Sequence, residues 1–126
     1  MDETTPPEDS HSQITSAHRE LLDQVLDKWS LLVLDRLCEG PRRFNGLRRS
    51  IPGVAQKSLT ASLRRLERNG MVERVVIHTR PVAVEYRISA LGRTLQDLID
   101  ALLLWTTTHM TEVDNARNRF DAALDT

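Results

Sequence analysis

The 126-residue sequence predicts a mainly α protein with a small β-hairpin, and three observations carry that expectation. Apolar residues recur at helical spacing from about Ser16 to Gly70. After Gly70 the period drops from 3.6 to 2, and from Ala90 a leucine-rich helical pattern returns. The length suits one domain able to bury a core without staples. A single cysteine, Cys38, excludes an intramolecular disulfide and fits a reducing compartment.

Taken in order, residues 1–13 form an acidic tail without the apolar segment of a secretory signal. Leu21, Leu22, Val25 and Leu26 then mark a helix from about Ser16 to Leu26. Trp29, Leu32, Val33 and Leu37 share one side of a second helix from about Lys28 to Glu39, which Gly40-Pro41 ends. Asn45 is a candidate N-cap for a short helix through Leu47 and Ile51, and Pro52-Gly53 forces a turn. The stretch VAQKSLTASLRRLERNG follows, with Leu59, Leu63 and Leu66 in one narrow arc. Two helices around a short glycine-containing turn make a candidate helix-turn-helix.

Val72, Val75, Val76 and Ile77, then Val82, Val84, Tyr86 and Ile88, are β-formers, and the second set alternates with Ala83, Glu85 and Arg87. His78, Thr79, Arg80 and Pro81 lie between them as a tip. A hairpin directly after a helix-turn-helix is the plan of a winged helix. Leu91, Leu95, Leu98, Leu102 and Trp105 step by 4, 3, 4 and 3 along a long helix ending near Met110. The domain is expected to span 14–110, with Val113, Ala116, Phe120 and Ala123 marking a separate helical tail over 111–126.

The net charge of −1 hides a strong asymmetry. Residues 1–35 carry two Lys/Arg against eight Asp/Glu; residues 36–87 carry twelve against four; residues 88–126 carry three against six. A surplus of eight positive charges in the middle points to a polyanion partner, although a solvated basic surface shows the same counts. The outer arc of the second helix of the helix-turn-helix supplies candidates for reading DNA bases: Gln56, Lys57, Ser58, Thr60, Ala61 and Arg64. Small residues let a helix approach the groove floor, and Gln, Lys and Arg match base edges. Arg42, Arg43, Arg48, Arg49 and Arg65 are candidate phosphate contacts, and Arg80, with His78 and Thr79, belongs to a wing able to enter a minor groove.

These residues resemble the HxlR-type family of bacterial winged helix-turn-helix regulators, within the MarR-like group. The matching pieces are Lys28-Trp29, Gly40 to Phe44, Leu47-Arg48, Ile51-Pro52-Gly53, Gln56-Lys57, Leu59 to Leu66, Gly70 to Arg74, Val84-Glu85-Tyr86 and Leu91-Gly92. The resemblance implies a homodimer on double-stranded DNA, joined through its terminal helices. Leu21, Leu22 and Val25 would then meet Leu95, Leu98, Ile99, Leu102, Leu103 and Trp105. Three positions depart from the family pattern: Ser16 where many relatives carry a cysteine that some use as a redox sensor, Leu26-Asp27 where small residues are common, and Ala55 where a capping Ser or Thr is usual. Cys38 is the one remaining redox thiol candidate, and a small buried hydrophobe is the reading its amphipathic helix favours.

The expectation is therefore a sequence-specific repressor acting as a homodimer on a near-palindromic operator, in the cytoplasm and on the nucleoid. A small-molecule effector lying near Trp29 or Trp105 would modify that function without replacing it. The rival is a winged-helix module for a protein partner. His11, His18, His78 and His109 are scattered, and no metal cluster, nucleophile triad or phosphate loop supports an enzyme or a cofactor. The longest run of large apolar residues and alanine, Ala101–Trp105, is far short of a membrane span.

Overall fold

Residues 13–125 are described in a computed structural model of the chain, so the expected acidic tail falls almost wholly outside the described residues. Helix α1 spans Ser16–Val25 and opens with a reciprocal cap. The Thr15 hydroxyl accepts from the His18 amide at 3.2 Å, and the Thr15 amide donates to His18 Nδ1 at 3.3 Å. Helix α2 spans Lys28–Cys38, and the Asp27 carboxylate accepts the amides of Trp29 and Ser30 at its start. Gly40, with φ +154°, leads the chain out of α2.

Helix α3, Phe44–Ser50, starts two residues earlier than the candidate cap implied. Its N-cap is Arg43, which makes no side-chain cap bond, and Asn45 lies exposed in the first turn. Gly53 (φ +83°) forms the turn, and helix α4 follows over Gln56–Arg68. Val33, Leu34 and Leu37 of α2, Leu47 of α3, and Leu59, Leu63 and Leu66 of α4 form the centre of the core. Each of these side chains contributes roughly 1.5–3 kcal/mol by leaving water.

Strands β1 (Val72–Thr79) and β2 (Val82–Ile88) pair antiparallel from Val72↔Ile88 to Thr79↔Val82. The register shifts between Val76 and His78, where Ile77 is the extra residue of a bulge. His78 and Thr79 are therefore strand residues, and the tip contracts to Arg80-Pro81, joined by a cis peptide bond. Only the base of the hairpin is buried, at Met71, Val72 and Ile88, while Val76 and Val82 near the tip stand exposed. Arg42 exchanges two backbone hydrogen bonds with Tyr86, so the α2–α3 connection adds one bridge to the edge of β2. A stretch that short has no period by which a sequence could reveal it.

Helix α5 runs unbroken over Ala90–Leu124, 35 residues or about 52 Å at 1.5 Å each. No chain break separates a tail helix at residue 110, because neither glycine nor proline occurs after Gly92. Ser89 caps α5 by accepting from the Gly92 amide at 2.9 Å, while its own amide donates to the Met71 carbonyl. Gly92 is buried where any Cβ would collide with that same Met71 carbonyl oxygen and with Ile88. Beyond this anchor α5 presents Leu95, Gln96 and Ile99 to the core, and the last five turns are largely exposed.

Candidate nucleic-acid interface

Three elements converge on the basic side of the molecule: α4, α3 and the wing. The inner face of α4 is set by Leu59, Leu63 and Leu66, all at most 2 % exposed, and this burial fixes which residues face out. Gln56, Lys57, Thr60, Arg64 and Arg68 are exposed, and Ser58 and Ala61 are half-buried. A shallow groove along this face is lined by Gln56, Lys57, Thr60, Ala61, Arg64 and Arg65. No carboxylate occurs on α4 before Glu67, so the first three turns carry only positive or neutral groups. Ala55, in extended conformation, leaves the first-turn amides without a side-chain cap, as its side chain requires.

Arg43, Arg48 and Arg49 are exposed beside α4 and form no ion pair with another described residue. Arg43 and Arg49, with Asn45 and Gly46, line a cleft that closes against Val82, Ala83 and Val84 of β2. Arg42 differs. Its guanidinium donates to Glu39 at 2.7 Å and to the Arg36 carbonyl at 3.3 Å, so it steadies the α2–α3 connection. Arg80 stands exposed at the wing tip beside exposed His78 and Thr79.

Arg65, another candidate phosphate contact, is held within the chain as well. It lies only one residue past Arg64, yet it turns inward to the α1–α2 junction. Its Nη2 donates to Asp27 at 2.9 Å and to Ser62 at 3.3 Å, and its Nε donates to the Gln24 carbonyl at 3.4 Å. Burial acts to raise the pKa of Asp27. Hydrogen bonds from the Ser30 hydroxyl and amide, then the hydrogen bond and charge of Arg65, outweigh it and hold the carboxyl below its ordinary value.

The structure also adds residues that the sequence reading left out. Arg74 of β1, together with Phe44 and Tyr86, shares a cleft with Thr60, Arg64 and Glu67 between α4 and the wing. Arg74 pairs with Tyr86 across the hairpin, and the strand period was the available signal that these two meet.

The apolar positions assigned to a second chain divide in two. Val25 and Ile99 are 2 % and 4 % exposed, and Leu95 packs half-buried on the same core, so these three serve the chain's own interior. Leu21, Leu22, Leu98, Leu102, Leu103 and Trp105 remain 43–69 % exposed. Trp29 packs against the core, whereas Trp105 lies on the outer face of α5 with its ring centroid 5.0 Å from that of His109. Cys38 is a half-buried free thiol at the end of α2. No group of His, Cys, Asp or Glu among the described residues could hold a metal ion, and no described helix is long and apolar enough to cross a membrane.

The model of the HxlR-like helix-turn-helix family matches residues 24–114 of the sequence. The chain belongs to that family. It is 37 % identical over 92 residues to YtcD of Bacillus subtilis (strain 168), an uncharacterised HTH-type transcriptional regulator, with 73 % of each chain covered. A similar relative of the same description, YtfH of Escherichia coli (strain K12), is 39 % identical over 95 residues, 75 % of each chain. Among solved structures, ytfH from Salmonella typhimurium superposes with a TM-score of 0.70 at 37 % identity, covering 79 % of this chain and 89 % of that one. The redox regulator HypR in its reduced form gives 0.69 at 33 % identity, covering 77 % and 96 %. The HxlR-like fold and its relatives are those of transcriptional regulators and not of enzymes.

Proposed function

We propose that this HxlR-like regulator binds double-stranded DNA as a homodimer, reads a near-palindromic operator through α4, and represses by occluding the promoter. The observation that carries the reading is the outward face of α4. It is exposed, free of carboxylates over three turns, and flanked by Arg43, Arg48 and Arg49, which form no ion pair among the described residues. In a major groove, Lys57 and Arg64 match guanine acceptors, Gln56 matches an adenine edge, and Ala61 admits a thymine methyl. Arg43, Arg48 and Arg49 hold phosphates, Arg74 and Ser58 support the same approach, and Arg80 enters the minor groove beyond. The exposed leucines of α1 and α5 support the dimer, which would set two α4 helices roughly 34 Å apart on successive turns of one DNA face.

The division between base and phosphate contacts is testable by a pair of substitutions. Arg64→Ala should cost about 1–3 kcal/mol on the cognate duplex and much less on random DNA. Arg49→Ala should weaken both duplexes alike and lower the slope of log K against log salt by about 1 for each half-site. Equal losses for the two variants on the two duplexes would contradict the assignment.

A further inference from the structure

The contacts of Arg65 join three helices at one point. Gln24 belongs to the last turn of α1, Asp27 to the α1–α2 junction, Ser30 to the first turn of α2, and Ser62, Arg65 and Asn69 to α4. Ser30 and Ser62 are fully buried. Within this cluster Asp27 cannot follow the movement of α4. Its Oδ1 is fixed by the amides of Trp29 and Ser30, both at 3.1 Å, and its Oδ2 accepts from the Ser30 hydroxyl at 2.7 Å. The remaining lobe of Oδ2 takes Arg65, whose planar guanidinium also bonds Ser62 and the Gln24 carbonyl. Asn69, at the end of α4, reaches the Gln24 side chain at 3.5 Å while donating to the Arg65 carbonyl at 2.8 Å.

We propose that Asp27 and Arg65 form a strut that sets the angle of α4 to the α1–α2 junction, making both positioning residues for DNA reading. The Arg65 guanidinium is held at the α1–α2 junction by Asp27, Ser62 and the Gln24 carbonyl, while its side chain borders the α4 groove beside Ala61 and Arg64, so the strut sits at the edge of the reading face. It rests on the reading that α4 reads DNA. It also links the recognition helix to α1, whose exposed Leu21 and Leu22 sit one turn from Gln24. A small rotation of α4 moves Arg64 against base edges while the phosphate arginines of α3 keep their places. Loss of the strut therefore lowers discrimination before it lowers affinity for DNA in general.

Asp27→Asn is the sharpest test, because asparagine keeps the acceptor that caps α2 and replaces Oδ2 by a donor facing Arg65 and Ser30. The strut predicts that the preference of the full-length chain for its own upstream duplex over a scrambled one falls about tenfold. It also predicts faster amide exchange along α4 in the free protein. A negative charge acting only at a distance predicts the opposite sign, since its removal should tighten binding to every duplex. Arg65→Lys keeps the positive charge but cannot bond Asp27, Ser62 and Gln24 together, so it should lose the same preference with an unchanged salt slope.

Unaltered preference and unaltered α4 exchange in both variants would overturn the strut, as would uniform tightening by Asp27→Asn. Failure of the underlying reading is distinguishable, because the unsubstituted protein would then show no preference before any variant is made.

Discussion

At the scale of single residues, burial decides what a charge is for. Arg64 and Arg65 are neighbours with the same chemistry, yet one is exposed on the outer face of α4 and the other is held by Asp27. Helical periodicity centres Arg64 on the outward arc with Arg65 at its shoulder, and nothing in the sequence says that an aspartate 38 positions earlier lies within reach. Ala55 was legible for a simpler reason, since a methyl group accepts no hydrogen bond anywhere. The Asp27 site also carries a pH signature. Its folded pKa lies below the ordinary value of 3.8, so its contribution to stability is complete well above that value. That contribution is lost as pH falls from about 4 through the lowered folded pKa. Asp27→Ala, which removes both the α2 cap and the ion pair, should cost roughly 1–2 kcal/mol near pH 7 in urea unfolding. The deficit should shrink as the pH approaches 3; a deficit that stays constant or grows would contradict this account.

At the scale of elements, the periodic ones were readable and the joints between them were not. The leucine arc of α4, the change to period 2 after Gly70 and the heptad of α5 each appear where the apolar spacing puts them. The tip of the wing, the Arg42–Tyr86 bridge and the unbroken run of α5 past residue 110 depend on cross-chain pairing or on the absence of a breaker. The alternation in β2 promised a half-buried strand along its length. The strand is half-buried over Ala83, Val84, Glu85 and Tyr86, and at the tip Val82 stands exposed. Gly92 shows how tightly one joint is built. Alanine is intrinsically preferred to glycine in a helix by about 1 kcal/mol. Here the methyl group would strike the Met71 backbone, which also accepts from Ser89, so steric conflict outweighs propensity. Gly92→Ala should destabilise the fold by about 1–3 kcal/mol. Thermal unfolding checks this, and a rise in Tm would show that α5 docks differently.

For the whole molecule, the charge asymmetry along the sequence becomes an asymmetry of faces. The basic middle of the chain supplies α3, α4 and the wing, while α1 and α5 present leucines and acidic groups. The heptad of α5 could not show which of its residues serve the monomer. Structure assigns Leu95 and Ile99 to the core and leaves Leu98, Leu102 and Trp105 outside. Leu98→Glu with Leu102→Glu should therefore spare the fold and leave a monomer in sedimentation equilibrium. Operator affinity should fall about a hundredfold or more, because two half-sites no longer act together. A doubly substituted dimer would place the interface elsewhere.

The central claim is that α4 reads sequence in duplex DNA, and fluorescence anisotropy tests it most directly. The protein would be titrated onto the duplex upstream of its own gene and onto a scrambled duplex, at several salt concentrations. The account predicts tight, steeply salt-dependent binding to the native duplex and weaker binding to the scramble by about a thousandfold or more. No binding to either duplex at low salt would contradict it and turn the basic face toward a protein partner.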